Sequence, residues 1–173
     1  MKKIFSRTLV ATSLLLSAGV ALAGPSPQTT TFGVTATVAN NCTISSAAAI
    51  AFGAYDATSG AAATGSGSVV VRCTKGTAIT VALDQGLNAG VGSTCTAPAR
   101  QMTAGGVDRL GYALYSDAAM TAVWGCTAGT NTVGSTSVSA ATLMTLPVYA
   151  SVPASQDVSA GSYADTVTVN ITF

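Results

Sequence analysis

Cys42, Cys73, Cys95 and Cys126 are the side chains best equipped for covalent chemistry in this 173-residue chain. Their thiols could oxidise to disulfides, bind a metal as thiolates or act as nucleophiles. A nucleophile needs a base beside it. The chain has no histidine and no glutamate, which rules out a Ser-His-Asp or Cys-His arrangement. Metal binding is equally poorly served, because no two cysteines form a C-x2-C pair. The remaining proton acceptors are Asp56, Asp84, Asp108, Asp117, Asp157 and Asp165. Asp108 and Asp117 stand beside or just after an expected strand, where aspartate ordinarily shapes a turn. No G-x-S-x-G elbow or phosphate-cradling G-x-x-x-x-G-K loop occurs. Gly65-Ser-Gly67 lacks the third glycine of a dinucleotide fingerprint and precedes a strand instead of following one. No catalytic residue, cofactor site or metal site is expected, and the chain reads as a non-enzyme.

The N-terminus supplies the context for the thiols. Lys2, Lys3 and Arg7 precede a mostly apolar run from Leu9 to Val20, and Ala21-Leu22-Ala23 has the small-x-small form of a signal-peptidase site. Residues 1–23 are therefore expected to be an export leader, cleaved after Ala23. An even cysteine count behind such a leader favours two disulfides in an oxidising compartment. Three pairings exist, and the equal spacings of 42 to 73 and 95 to 126 favour the sequential one. Loops of that size would contribute about 3–4 kcal/mol each. Beyond the leader, Arg72, Lys75, Arg100 and Arg109 face the six aspartates. So weak and scattered a charge cannot track a phosphate backbone, so nucleic acid is excluded as a partner. Asn41-Cys-Thr43 and Asn170-Ile-Thr172 match the glycosylation sequon by chance.

The elements that carry these residues alternate with period two. Gly24 to Gln28, with Pro25 and Pro27, read as an extended leader segment. Phe32, Val34, Ala36 and Val38 then alternate with smaller or polar residues, the pattern of a strand with one apolar face. Extended pieces are expected from Cys42 to Ile44 and again from Ile50 to Phe52, with a glycine-rich surface loop from Tyr55 to Gly67. Ser68 to Cys73 and Ala78 to Leu83 are β-branched runs around Lys75-Gly76, which predicts a hairpin. Arg109 to Tyr115 and Leu143 to Val152 follow, with a small edge piece at Ala122 to Trp124; Pro147 suggests an edge or a bulge. Tyr163, Asp165, Val167, Val169, Ile171 and Phe173 alternate to the last residue. Short strands with turns between them indicate an all-β antiparallel sandwich. Trp124, Tyr112, Tyr115 and Tyr149 could stack on sugars, but aromatics at strand positions ordinarily belong to the core.

Four segments carry a resemblance: Asn41-Cys-Thr-Ile-Ser45; Val71-Arg-Cys73; Leu110-Gly-Tyr-Ala-Leu-Tyr-Ser-Asp117 followed by Val123-Trp-Gly125; and the ending from Ala160 to Phe173. Together they resemble the spore coat protein U family, which includes the pilin subunits of archaic chaperone–usher pili. The resemblance implies an incomplete immunoglobulin-like antiparallel β-sandwich that lacks its last strand, with residues 24–39 as leader and N-terminal donor strand and 40–173 as the pilin domain. It further implies that Phe32, Val34, Ala36 and Val38 complete the sheet of another subunit. The acceptor groove would be flanked by the Cys42-containing first strand and the last strand, with Val167, Val169, Ile171 and Phe173 contributing its walls or floor. The partners so implied are identical or related pilin subunits, a periplasmic chaperone and an outer-membrane usher, and the product is an extracellular pilus for adhesion and biofilm formation. The alternative is a self-contained secreted β-sandwich, either a spore or cell coat protein or a carbohydrate-binding module.

Overall fold

The structure, a computed structural model, describes Gly24 and residues 26–173. The expected export leader, residues 1–23, lies outside the described residues. The chain divides into two units, Met1–Ala36 and Thr37–Phe173. In the first, the described residues form no strand and are exposed.

The second unit is an immunoglobulin-like antiparallel sandwich with eight strands among the described residues: β1 (Cys42–Ala48), β2 (Ala63–Cys73), β3 (Ala78–Leu83), β4 (Arg100–Met102), β5 (Leu110–Tyr115), β6 (Val133–Thr136), β7 (Met144–Val152) and β8 (Val169–Thr172). One sheet runs β1-β2-β7-β5-β4 and the other β6-β3-β8. Alternate residues of the long strands face inward, as in β3, where Ile79, Val81 and Leu83 are buried. They meet Val69, Val71, Leu114 and Val148 from the facing sheet. Each such side chain contributes about 1.5–3 kcal/mol of burial. Trp124 and Tyr112 are buried, and the Trp124 indole N–H donates to Val81 O at 3.0 Å.

Four local expectations need correction. β2 begins at Ala63, inside the segment read as a loop, and pairs with β7 from Val152 back to Met144. Its glycines serve close approach: a Cβ on Gly65 would lie 2.8 Å from Ile50, and one on Gly67 would lie 2.6 Å from Ala48 O. β2 and β3 do not form a hairpin. Thr77 N–H donates to Thr74 O at 3.1 Å around Gly76, whose φ is 81°, and this turn carries the chain from one sheet to the other. β7 lies inside its sheet, yet β5 pairs only with Tyr149–Ser151. Pro147, paired with Ser68 of β2, thus has no β5 partner, so its missing N–H costs no ladder bond on that side. β4 and β6 were not foreseen: Arg-Gln-Met and Val-Gly-Ser-Thr carry no apolar alternation.

Cys42 is bonded to Cys73, and Cys95 to Cys126. The first staples the start of β1 to the end of β2, where those residues are also register partners. The second ties the loop before β4 to the loop after Trp124.

Candidate functional site

Between β1 and β8 the sandwich is open. β1 has β2 on one side only, and β8 has β3 on one side only. The register of β1 shifts between Ile44 and Ser46, and residues 43–48 are exposed although they lie in a strand. A cleft of about 400 Å³ opens beside them, walled by Ala47–Ile50 and by Tyr163–Val167, with Val69, Leu83, Leu114 and Val148 at its base.

The second wall is half-paired, and the alternation of its residues explains why. Thr103 and Ala164 exchange N–H···O bonds at 3.0 Å; Leu87 N–H donates to Thr166 O and Asp84 N–H to Thr168 O, each at 3.0 Å. The carbonyls of Ala164, Thr166 and Thr168 and the Ala164 N–H are thereby satisfied. In an extended chain the backbone groups of the odd-numbered residues point the opposite way. The N–H and C=O of Tyr163, Asp165 and Val167 have no hydrogen-bond partner among the described residues. Their side chains are half-buried, so this edge presents bare backbone beside an apolar cleft.

A polar cluster supports that wall. Asp165 accepts from Tyr112 Oη at 2.7 Å through Oδ2, and from Asn88 N and Nδ2 at 3.1 and 3.0 Å through Oδ1. Burial and then the Asp165 bond push the Tyr112 hydroxyl far above the usual phenol range. Asp84 Oδ1 accepts from Thr168 N at 2.8 Å and Gly86 N at 2.9 Å. Burial would raise its pKa, but these bonds and the charge of Arg100 outweigh it and hold the carboxyl below its ordinary value. Arg100, only 1% exposed, donates to Asp84 O, Leu83 O and Trp124 O at 2.8, 2.9 and 2.8 Å. Its Nη1 has no partner among the described residues, and burial lowers its pKa.

The residues singled out from sequence fall in two places. Val167 and Val169 line the cleft. Ile171 is half-buried opposite Val81, and Phe173 is exposed at the end of the chain. Phe32, Val34 and Val38 are 86%, 82% and 80% exposed, and Ala36 is exposed too. The resemblance set the Cys42-containing first strand along the other side of the groove, and Ala47 and Ala48 at the end of that strand do line it; Ala49, Ile50 and the Asp84–Arg100–Tyr112 support were not singled out. Asp165 did leave a signal, as the one charged residue on the inward face of the C-terminal alternation. No group of three or more metal-ligating side chains occurs among the described residues. A largely apolar cleft whose one carboxylate, Asp165, is already engaged by Tyr112 and Asn88, edged by unspent backbone donors and acceptors, is suited to pairing with a strand.

Comparison with known proteins gives the same picture of the fold. A family model, the Spore Coat Protein U domain, matches residues 28–170. "Protein U" of Myxococcus xanthus is 37% identical over 147 residues, covering 80% of this chain and 80% of that protein. A chain of the crystal structure of the CsuC–CsuE chaperone–tip adhesion subunit pre-assembly complex, from archaic chaperone–usher Csu pili of Acinetobacter baumannii, superposes with a TM-score of 0.57 at 22% identity. That match covers 79% of this chain and 40% of the other.

Proposed function

This chain belongs to the Spore Coat Protein U domain family, and from that premise and the open groove we propose that it is a structural subunit polymerising by donor-strand complementation. Phe32, Val34, Ala36 and Val38 of one copy enter the groove between β1 and β8 of the next. The product is a chaperone–usher surface pilus that serves adhesion and biofilm formation. A periplasmic chaperone occupies the groove first and an outer-membrane usher directs the exchange. The observation that carries this reading is the row of unpartnered backbone groups at Tyr163, Asp165 and Val167 beside the cleft.

Energetics support it. Three large apolar side chains and one alanine would gain roughly 5–9 kcal/mol on burial, comparable to a domain's whole stability of about 5–15 kcal/mol. A subunit without its missing strand is marginal, and its bare edge invites aggregation. A chaperone answers that need. Head-to-tail donation of one strand does not close on itself, so it builds a filament. A chain with both acceptor domain and donor segment suits a repeating position in that filament.

The test is self-complementation. Residues 24–39 are deleted and Thr31 to Val38 are appended after Phe173 through a flexible linker, so that the segment runs back along β8. A stable monomer that no longer polymerises is expected. An unfolded or still-polymerising product contradicts the reading, and a stable monomer of the unaltered chain favours the self-contained sandwich.

A further inference from the structure

We propose that Asp165 and Asp84 are positioning residues for strand uptake, fixing the groove wall from Tyr163 to Thr168 before a strand arrives; this rests on the strand-acceptor reading above. The regular ladder between β3 and β8 ends at the pair Leu83–Val169. Beyond it the chain bends at Gly86, whose φ is 79°, and a Cβ there would collide with the Asp165 carboxylate. Backbone bonds from Asp84 N–H to Thr168 O and from Leu87 N–H to Thr166 O continue past that pair, and carboxylate oxygens reinforce them. Asp84 receives the Thr168 N–H and Asp165 the Asn88 N–H, so each of the two adjoining segments is lashed to the other.

The lash also spans the sandwich. Tyr112 belongs to β5 in the five-stranded sheet, whereas Asp165 leads into β8 of the three-stranded one. Their 2.7 Å bond holds the two sheets together at the cleft, which both residues line. Arg100, from β4, fixes the far end of β3 through the carbonyls of Leu83 and Asp84. A wall without a ladder on its groove side would otherwise sample many conformations, and ordering it on binding costs conformational entropy. These carboxylates meet that cost in advance, so their effect falls on the rate of strand capture.

The full chain, freshly refolded and dilute so that it has not yet assembled, is mixed with an excess of a fluorescent peptide of residues 29–39, and association and dissociation are followed by anisotropy. Asp165→Asn keeps one acceptor oxygen but turns an amide toward Tyr112; Tyr112→Phe keeps the buried ring and removes only the hydroxyl. Association is expected to slow about tenfold in Asp165→Asn, the scale of one lost charge-assisted bond, and about threefold in Tyr112→Phe. Dissociation should stay within about twofold. Asp117→Asn, which removes a carboxylate bonded to Thr121 and Ala122 elsewhere on the surface, should change neither rate. Unchanged association in both test variants, with normal uptake by the parent chain, overturns the positioning role alone. Faster dissociation at unchanged association also overturns it, since that would mark lost contacts and not lost preorganisation. No uptake by the parent chain overturns the acceptor reading itself.

Discussion

Two flanks of this sandwich are built from similarly short strands and finished in opposite ways. Around Cys95 and Cys126 the loops are tied by a disulfide and by side-chain bonds to backbone carbonyls. The disulfide joins two loops, and Asn131 Nδ2 donates to Cys95 O and Thr96 O at 2.8 and 2.9 Å. Arg100 adds three bonds to backbone carbonyls, and the Trp124 indole closes over β3. Between β1 and β8 the chain instead leaves a strand exposed along most of its length, a cleft, and a row of backbone groups without partners. The same sequence can thus close an edge with side chains and a disulfide where it needs to. The open flank has a cleft and bare backbone groups where the other has ties, and on the reading proposed above a strand of another copy fills it.

The largest effect that would break this contrast concerns the supplier. Val34→Asp or Phe32→Asp should abolish fibres, seen by electron microscopy, while chaperone co-purification persists. A charge in the buried row removes the gain of about 1.5–3 kcal/mol and adds a desolvation cost of several more. Normal fibres would disconnect the two halves of the proposal.

Next comes the closed flank. Replacing Cys95 and Cys126 by serine should cost about 3 kcal/mol by loop entropy and lower Tm by about 10 °C in calorimetry, with peptide affinity nearly unchanged. A comparable loss of affinity would show that the two flanks are not independent. Arg100→Met should be smaller, about 2 kcal/mol in chemical denaturation. It strands two buried carbonyls and one part-buried one, but it also relieves a buried cation with a partnerless N–H group.

The smallest effect is on pH. Asp84 has a folded-state pKa below its ordinary 3.8, so the unfolded chain binds its proton first as pH falls. Its contribution is therefore fully present above the unfolded value and lost as pH drops through the folded one. Melting curves from pH 5 to pH 2 should fall less steeply in Asp84→Asn than in the parent; identical slopes would deny the carboxylate its role.

How legible all this was in the sequence depended on whether a segment's partner lay on the same strand pattern. The buried runs of β3, β5 and β7 and the alternation up to Phe173 announce themselves, because burial of one face enforces period two. β4 could not be read, since its key residue is an arginine whose burial depends on three distant carbonyls. Gly65 and Gly67 looked like loop, because nothing local says that Ile50 will lie across them. In the candidate site, Val167 and Val169 were visible as an apolar row. The opposite wall was legible only as the Cys42-containing first strand implied by the resemblance, because Ala47, Ala48 and Ala49 carry almost no signal of their own.

The central claim is tested most directly by amide hydrogen exchange at Asp165 and Val167, measured in the subunit freshly refolded from denaturant, before it assembles, and again in assembled fibres. Unpartnered N–H groups at a free edge should exchange rapidly in the first state and become protected by at least about a hundredfold in the second, as a fibre's ladder bonds form. Exchange that remains rapid in the fibre, or is already slow in the lone subunit, would contradict a groove filled by a neighbour's strand.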